Sequence, residues 1–236
     1  MTAVLKVENL HTYIRESHIL QGVSFEAQKG KATVILGRNG VGKTVLFKSI
    51  INAFAPSEGH VVYNGEEITR IPTYRVIRKG IAFVPSSMGV FTGLTVRENL
   101  SIAYRGDSKE FKIRLTGIFE MFPELERAYD RSAMSLSGGE REMLAISCGI
   151  INKAELLMLD EPSEGLSPLM VKKVMDSLNK LKSTTTILLV EQNFSAAKLV
   201  GDECYFMDKG QIVYETKMSE LNKESEVLKK YLGVSF

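Results

Sequence analysis

Gly37-Arg38-Asn39-Gly40-Val41-Gly42-Lys43-Thr44 decides how this chain is read. An apolar run, Thr33-Val34-Ile35-Leu36, leads into it and a stretch with helical spacing leads away, so strand, glycine-rich loop and helix follow in that order. Glycines let successive backbone N–H groups turn inward around phosphate oxygens, Lys43 reaches the outer phosphates, and the Thr44 hydroxyl can ligand Mg²⁺. With Val45, these residues form a cradle for a nucleoside triphosphate. A Gly-rich turn without a ligand stays open on this stretch alone and loses ground as further motifs are added.

Working outward, the chain has 236 residues, 44% apolar and 25% charged, which suits one large α/β domain or a core with an inserted subdomain and excludes a disordered or fibrous protein. Net charge is only +2 and no long Lys/Arg run occurs, which argues against nucleic acid as a partner. Cys148 and Cys204 lie in apolar stretches without metal-ligand spacing, as expected of buried thiols in a reducing compartment. The N-terminus lacks a signal-peptide core and no apolar run approaches the roughly 20 residues that cross a bilayer, so a cytoplasmic chain is expected unless something holds it at a membrane.

Strand-like runs are expected over residues 4–10, 22–27 and 60–63, with Asn64-Gly65 as a hairpin turn. Residues 81–84, 156–159, 186–190 and 204–207 are nearly continuous apolar runs, the mark of strands buried on both faces of a mainly parallel sheet. From residue 91 to about 152 helical spacing takes over, opened by a capping box at Thr95-Val96-Arg97-Glu98. Ser167-Pro168 predicts a helix start, with Leu169, Val174, Leu178 and Leu181 on its apolar side. Residues 218–232 predict an amphipathic helix that packs on the core.

Two further constellations carry chemistry. Leu156-Leu157-Met158-Leu159-Asp160-Glu161 ends a buried strand in adjacent carboxylates that alternation sends in different directions. By itself the pair is usually a solvated turn; with a phosphate loop upstream, Asp160 is placed to help hold Mg²⁺ and Glu161 to polarise the water that attacks the γ-phosphate. Leu136-Ser137-Gly138-Gly139-Glu140, before an apolar helical run, makes a second anion-binding helix end or an ordinary N-cap.

The phosphate loop, Leu136-Ser137-Gly138-Gly139-Glu140 and Leu159-Asp160-Glu161-Pro162 together resemble the nucleotide-binding subunit of an ABC transporter, over essentially the whole chain. The resemblance implies an α/β fold in which a mainly parallel P-loop NTPase core sheet carries an N-terminal antiparallel β subdomain and an inserted helical subdomain. One domain would span residues 1–236, with the core in 1–90 and 152–236 and the helical part in 91–151. It implies ATP and Mg²⁺ as ligands. Two subunits would pair head to tail, Ser137, Gly138 and Gly139 of one closing over the nucleotide of the other. Tyr13 would stack on adenine, residues 165–168 would form a dimer contact, and residues 86–91 would face an integral membrane permease.

Leu94-Thr95-Val96-Arg97-Glu98-Asn99-Leu100, Asp160-Glu161-Pro162-Ser163-Glu164-Gly165-Leu166, Val190-Glu191-Gln192-Asn193 and Tyr231-Leu232-Gly233-Val234 are similar to importer subunits for branched-chain amino acids, a group shared with urea and short-amide importers. That implies a peripheral subunit on the cytoplasmic face of the membrane. It would act as a homodimer or with a related ATP-binding chain, beside permease subunits and, indirectly, an extracytoplasmic solute-binding protein. Two positions depart from the wider pattern. Gln192 stands where most relatives place a γ-phosphate-sensing His, and Ser86 where they place Gln or Glu near the metal. A hydroxyl reaches that site less easily, so slow hydrolysis by the isolated chain is expected. A soluble ABC-type ATPase acting as a scaffold or assembly factor stands as the alternative function.

Overall fold

The computed structural model describes residues 2–87, 89–222 and 225–233. The chain begins with a long hairpin, β1 (Ala3–Ile14) and β2 (Ser17–Gln28), enters β3 (Ala32–Leu36), and passes through the glycine-rich loop into α1 (Lys43–Ile50). β4 (Glu58–Tyr63) and β5 (Glu66–Glu67) are joined by Asn64 and Gly65, both at positive φ, which is the turn their sequence predicts. α2 (Thr73–Arg78) and β6 (Ile81–Val84) follow. Then come α3 (Val96–Ala103), α4 (Ser108–Met121), α5 (Pro123–Arg127) and α6 (Gly138–Ile150). Strand and helix alternate again through β7 (Leu156–Asp160), α7 (Pro168–Leu181), β8 (Thr186–Glu191), α8 (Phe194–Val200), β9 (Glu203–Asp208), β10 (Gln211–Lys217) and α9 (Glu226–Leu232).

Two sheets result. The first is antiparallel, in the order β2-β1-β4-β5; the second runs β10-β9-β3-β8-β7-β6, with every pair parallel except β9 with β10. Side-chain alternation splits the core in two. Val34, Leu36, Leu157, Leu159, Ile187, Leu189 and Phe206 face the helices of the second half of the chain. Ile35, Leu156, Met158, Leu188, Val190 and Met207 face α1 and the antiparallel sheet. Each fully buried side chain of this size contributes about 1.5–3 kcal/mol, which is why these strands read as unbroken apolar runs.

Between β6 and β7 the described residues hold helices and turns, with one isolated bridge from Thr95 to Ser132. Thr95 caps α3 reciprocally with Glu98, as the capping-box spacing predicts. Three expectations change. Leu169 sits in the first turn of α7 facing solvent, 76% exposed, while Val171 and Met175 join Val174, Leu178 and Leu181 on the buried side. In place of one helix over 218–232, the described residues form a short 3₁₀ turn (Met218–Glu220) and α9, with Leu221, just after the turn, and Leu228, on α9, both in the core; residues 223–224 lie outside the described residues. Finally, β10 was not anticipated, because a half-exposed edge strand lacks the apolar run that marks the others. Val234, named above in a C-terminal motif, and Met88, inside the stretch 86–91, lie outside the described residues.

Candidate nucleotide site

The carboxyl ends of β3, β7 and β8 lie side by side, Leu36 paired with Glu191 and Asp160 with Val190, so three loops open onto one edge of the sheet. The first is the glycine-rich loop. Gly42 holds φ 111° at the N-cap of α1, and an added Cβ there would lie 3.1 Å from Met207 Cε and 3.3 Å from Leu20 Cδ2. Gly37 is fixed differently: a Cβ would stand 2.6 Å from the Met207 carbonyl oxygen. Lys43, 4% exposed, folds back over the loop, donating to the carbonyls of Gly37 (2.7 Å) and Arg38 (2.9 Å). Its ammonium also lies 2.8 Å from Glu161 Oε1.

The second loop follows β7. Asp160 is buried and accepts the Thr44 hydroxyl at 2.9 Å, which joins α1 to β7 directly. Burial raises its carboxyl above the usual range; the Thr44 hydrogen bond opposes that rise and the Glu161 charge adds to it. Glu161 has φ 52°, a left-handed backbone uncommon for a side chain of its size, and its N–H donates to the Val190 carbonyl at 3.0 Å. This turn sends Asp160 toward Thr44 and Glu161 toward Lys43. Thr44 and Asp160 together present hard oxygens of the kind Mg²⁺ takes, so the donor set fits that ion.

The third loop leaves β8 at Glu191, which is 2% exposed. Its carboxylate accepts the backbone N–H of Ser163 at 3.0 Å and of Asn193 at 3.2 Å, while its carbonyl accepts the N–H of Gly37 at 3.2 Å. Burial pushes the Glu191 carboxyl up to about 7 against the pull of those N–H groups. Nearby, on α6, Glu142 is pushed up to about 8, first by burial and then by the Glu191 charge. Glu142 carries no motif signal and Glu191 stands in one only by resemblance; what singles them out is burial together with the charge each faces, which the fold alone creates.

Asn39, Gly40, Gly42, Lys43, Thr44, Val45, Glu161, Glu164, Ser86 and Ile19 line one pocket, which brings together the loop, Glu161 after β7 and Ser86, the last a position that only the resemblance points to. Gly37, Arg38 and Val41 form the back of the loop; Arg38 reaches the Lys230 carbonyl of α9 at 3.5 Å instead of the pocket. Ile19 carries no motif signal and Glu164 belongs to a motif that gives it no site role; they enter through the β2 hairpin and the turn after Glu161. Gln192 is half-buried at the end of β8 and does not line this pocket. Tyr13 stands at the end of β1, 49% exposed, beside a strand that touches the loop through Ile19 and Leu20. Ser137 caps α6 in a reciprocal capping box with Glu140. Gly138 faces an adjoining groove with Gly89, Phe91 and Leu166, which shares only Ser86 and Glu164 with the loop's pocket, and Gly139 is packed under Met170. Within one chain the Ser137 loop and the phosphate loop therefore do not share a pocket. Among the described residues no helix is long and apolar enough to cross a membrane.

The ABC transporter family model matches residues 20–164, which include the glycine-rich loop, the Ser137 loop and both β7 carboxylates. The chain is 38% identical over 234 residues to the probable branched-chain amino acid transport ATP-binding protein LivF of Archaeoglobus fulgidus, covering 98% of this chain and 99% of that one. It is 34% identical over 232 residues to the high-affinity branched-chain amino acid transport ATP-binding protein BraG of Pseudomonas aeruginosa, covering 98% and 100%. The crystal structure of an ATP-binding cassette of an ABC transporter in its ADP conformation superposes with a TM-score of 0.88 at 26% identity, over 99% of this chain and all of that one. With this fold, this loop and these relatives, the chain belongs to the ABC transporter family as one of its ATP-binding, ATP-hydrolysing subunits.

Proposed function

We propose that this chain powers uptake of amino acids, of the branched-chain class, through separate membrane permease subunits. The observation that carries the reading is similarity over nearly the full length to two proteins named for that transport. In this reading it sits on the cytoplasmic face of the membrane, paired with a second copy or a related ATP-binding chain, and an extracytoplasmic solute-binding protein delivers the cargo. Residues 91–151 act as a helical subdomain on a core formed by 1–90 and 152–236, and residues 86–91 meet the permease.

The mechanism follows from which partners are exchanged. Lys43 is held by two loop carbonyls and Glu161. Phosphate oxygens of ATP draw its ammonium away, which leaves the Glu161 carboxylate to orient the attacking water and take up its proton. Thr44, Asp160 and, more weakly, Ser86 would hold Mg²⁺, which would supply charge neutralisation at the phosphates. Gln192 donates a neutral hydrogen bond toward the γ-phosphate, and Tyr13 stacks on the base. Ser137, Gly138 and Gly139 of the partner close the site from across the dimer, and hydrolysis removes the contacts that held it shut.

The test is purification of the tagged chain from membranes, followed by vesicle transport. Two polytopic membrane proteins should copurify, and vesicles should take up labelled leucine with ATP on the side of this chain, but not with Glu161→Gln. Uptake of urea or short amides alone would reassign the cargo. Recovery with soluble partners only would favour the scaffold alternative.

A further inference from the structure

Tyr13 is covered on one face by His18, its register partner on β2, with ring centroids 4.2 Å apart and planes within 5° of parallel. His18 is itself stacked on His11, at 5.2 Å and 22°. A chain of hydrogen bonds fixes this column: His11 and Asn9 Oδ1 are 3.2 Å apart, and His11 Nδ1 lies 3.0 Å from His18 Nε2. Asn9 Oδ1 only accepts, so neutral His11 carries its proton on Nε2 and its bare Nδ1 accepts from the Nε2–H of His18. The column is also anchored to the phosphate loop's helix, because the buried Thr12 hydroxyl, next to Tyr13, lies 2.9 Å from Ser49 Oγ on α1. On the other strand Ile19, next to His18, lines the phosphate pocket.

From this geometry we infer that His18 is a positioning residue for nucleotide binding: it holds the Tyr13 ring flat and fixed, with its open face turned to receive the base. The inference rests on the reading that Tyr13 stacks on adenine. A half-exposed tyrosine at the end of a hairpin otherwise samples several rotamers, and ordering it on binding costs conformational entropy. A ring already packed on a histidine, which is itself held from behind, has met that cost before ATP arrives. No charge on His18 is needed, so a flat apolar ring should replace it.

The experiment compares ATP with inorganic tripolyphosphate, which has no base, as ligands of the parent chain, His18→Ala, His18→Phe and Tyr13→Ala, by calorimetry and steady-state hydrolysis. His18→Ala should weaken ATP binding and raise KM by roughly threefold to tenfold, the scale of one aromatic pair, with kcat and tripolyphosphate affinity retained. His18→Phe should restore ATP affinity to within about twofold, since the stack survives without the hydrogen bond. If Tyr13→Ala weakens ATP binding while His18→Ala does not, the buttress is wrong and the stacking tyrosine stands. If Tyr13→Ala changes nothing, the base-stacking reading itself fails. Equal loss of ATP and tripolyphosphate binding in His18→Ala would show general damage to the hairpin and overturn the inference.

Discussion

Replacing Lys43 by alanine should weaken both the fold and nucleotide binding, and the structure says by how much. Lys43 is 4% exposed, and its ammonium serves the Gly37 and Arg38 carbonyls and Glu161 Oε1 at 2.7, 2.9 and 2.8 Å. Deleting it strands the Glu161 carboxylate, whose side chain is 16% exposed, beside two carbonyls that have lost their donor. Hydrogen bonds to charged groups contribute about 1.5–3 kcal/mol net; water at the pocket mouth recovers part of this, so a loss of about 2 kcal/mol is expected, or ~4–8 °C in Tm for a chain of this size. Glu161→Gln removes the stranded charge, so the double variant should be less destabilised than the sum of the singles by about 1 kcal/mol. For ATP the lost phosphate contacts are partly offset, because the parent must first break the Glu161 pair; affinity should fall by roughly one to two orders of magnitude. Scanning calorimetry on the four proteins and titration with Mg-ATP measure both quantities. Strict additivity of the Tm changes, together with normal Mg-ATP binding by Lys43→Ala, would refute this account.

Glu161→Gln alone should lower turnover by about a hundredfold or more and accumulate an ATP-dependent dimer in light scattering; a monomer at every ATP concentration would contradict the closing step. Glu142 and Glu191 are pushed up to about 8 and about 7 from a usual 4.5, so the folded chain keeps protons that the unfolded chain releases, and these groups destabilise the fold progressively as pH rises from 4.5 to 8. Glu142→Gln should therefore flatten the fall in Tm between pH 5.5 and 8.5 and be the more stable protein at the alkaline end, whereas a steeper fall would reverse the assignment. Ser86→Gln should raise basal hydrolysis several-fold by giving the pocket a longer polar arm; unchanged basal and permease-stimulated rates would remove Ser86 from the site. Gly42→Ala should cost about 1–3 kcal/mol, because φ 111° is closed to alanine and its Cβ would press on Met207, and nucleotide binding should fall with it.

The parallel strands were legible because each is buried on both faces, so composition alone marks Ile81–Val84 and Thr186–Glu191. The phosphate loop was legible because its glycines meet backbone constraints that other residues cannot. What escaped was decided by neighbours distant in sequence. β10 is an edge strand with one partner and little apolar signal, and Leu169 takes its exposure from the phase of α7 against the sheet, which periodicity fixes only to within a residue or so. Ile19 and Glu142 reach the neighbourhood of the site through packing, so no spacing rule finds them, and the motifs that contain Glu164 and Glu191 do not say what those two side chains do. Gln192 shows the converse: its motif is clear, yet it stands outside the pocket that holds Lys43 and Thr44.

Glu191 joins the loop after β7, the loop after β8 and the entry to the glycine-rich loop by accepting a backbone N–H from each. Segments that sequence presents as three independent motifs therefore form a single mechanical part. Exchanging any one of them with a related chain would change the length and angle of the other two attachments. Variation here is expected to be inherited as a block: a chimaera that moves residues 160–164 without 190–193 should misalign the water-facing carboxylate, while one that moves both should keep it in register.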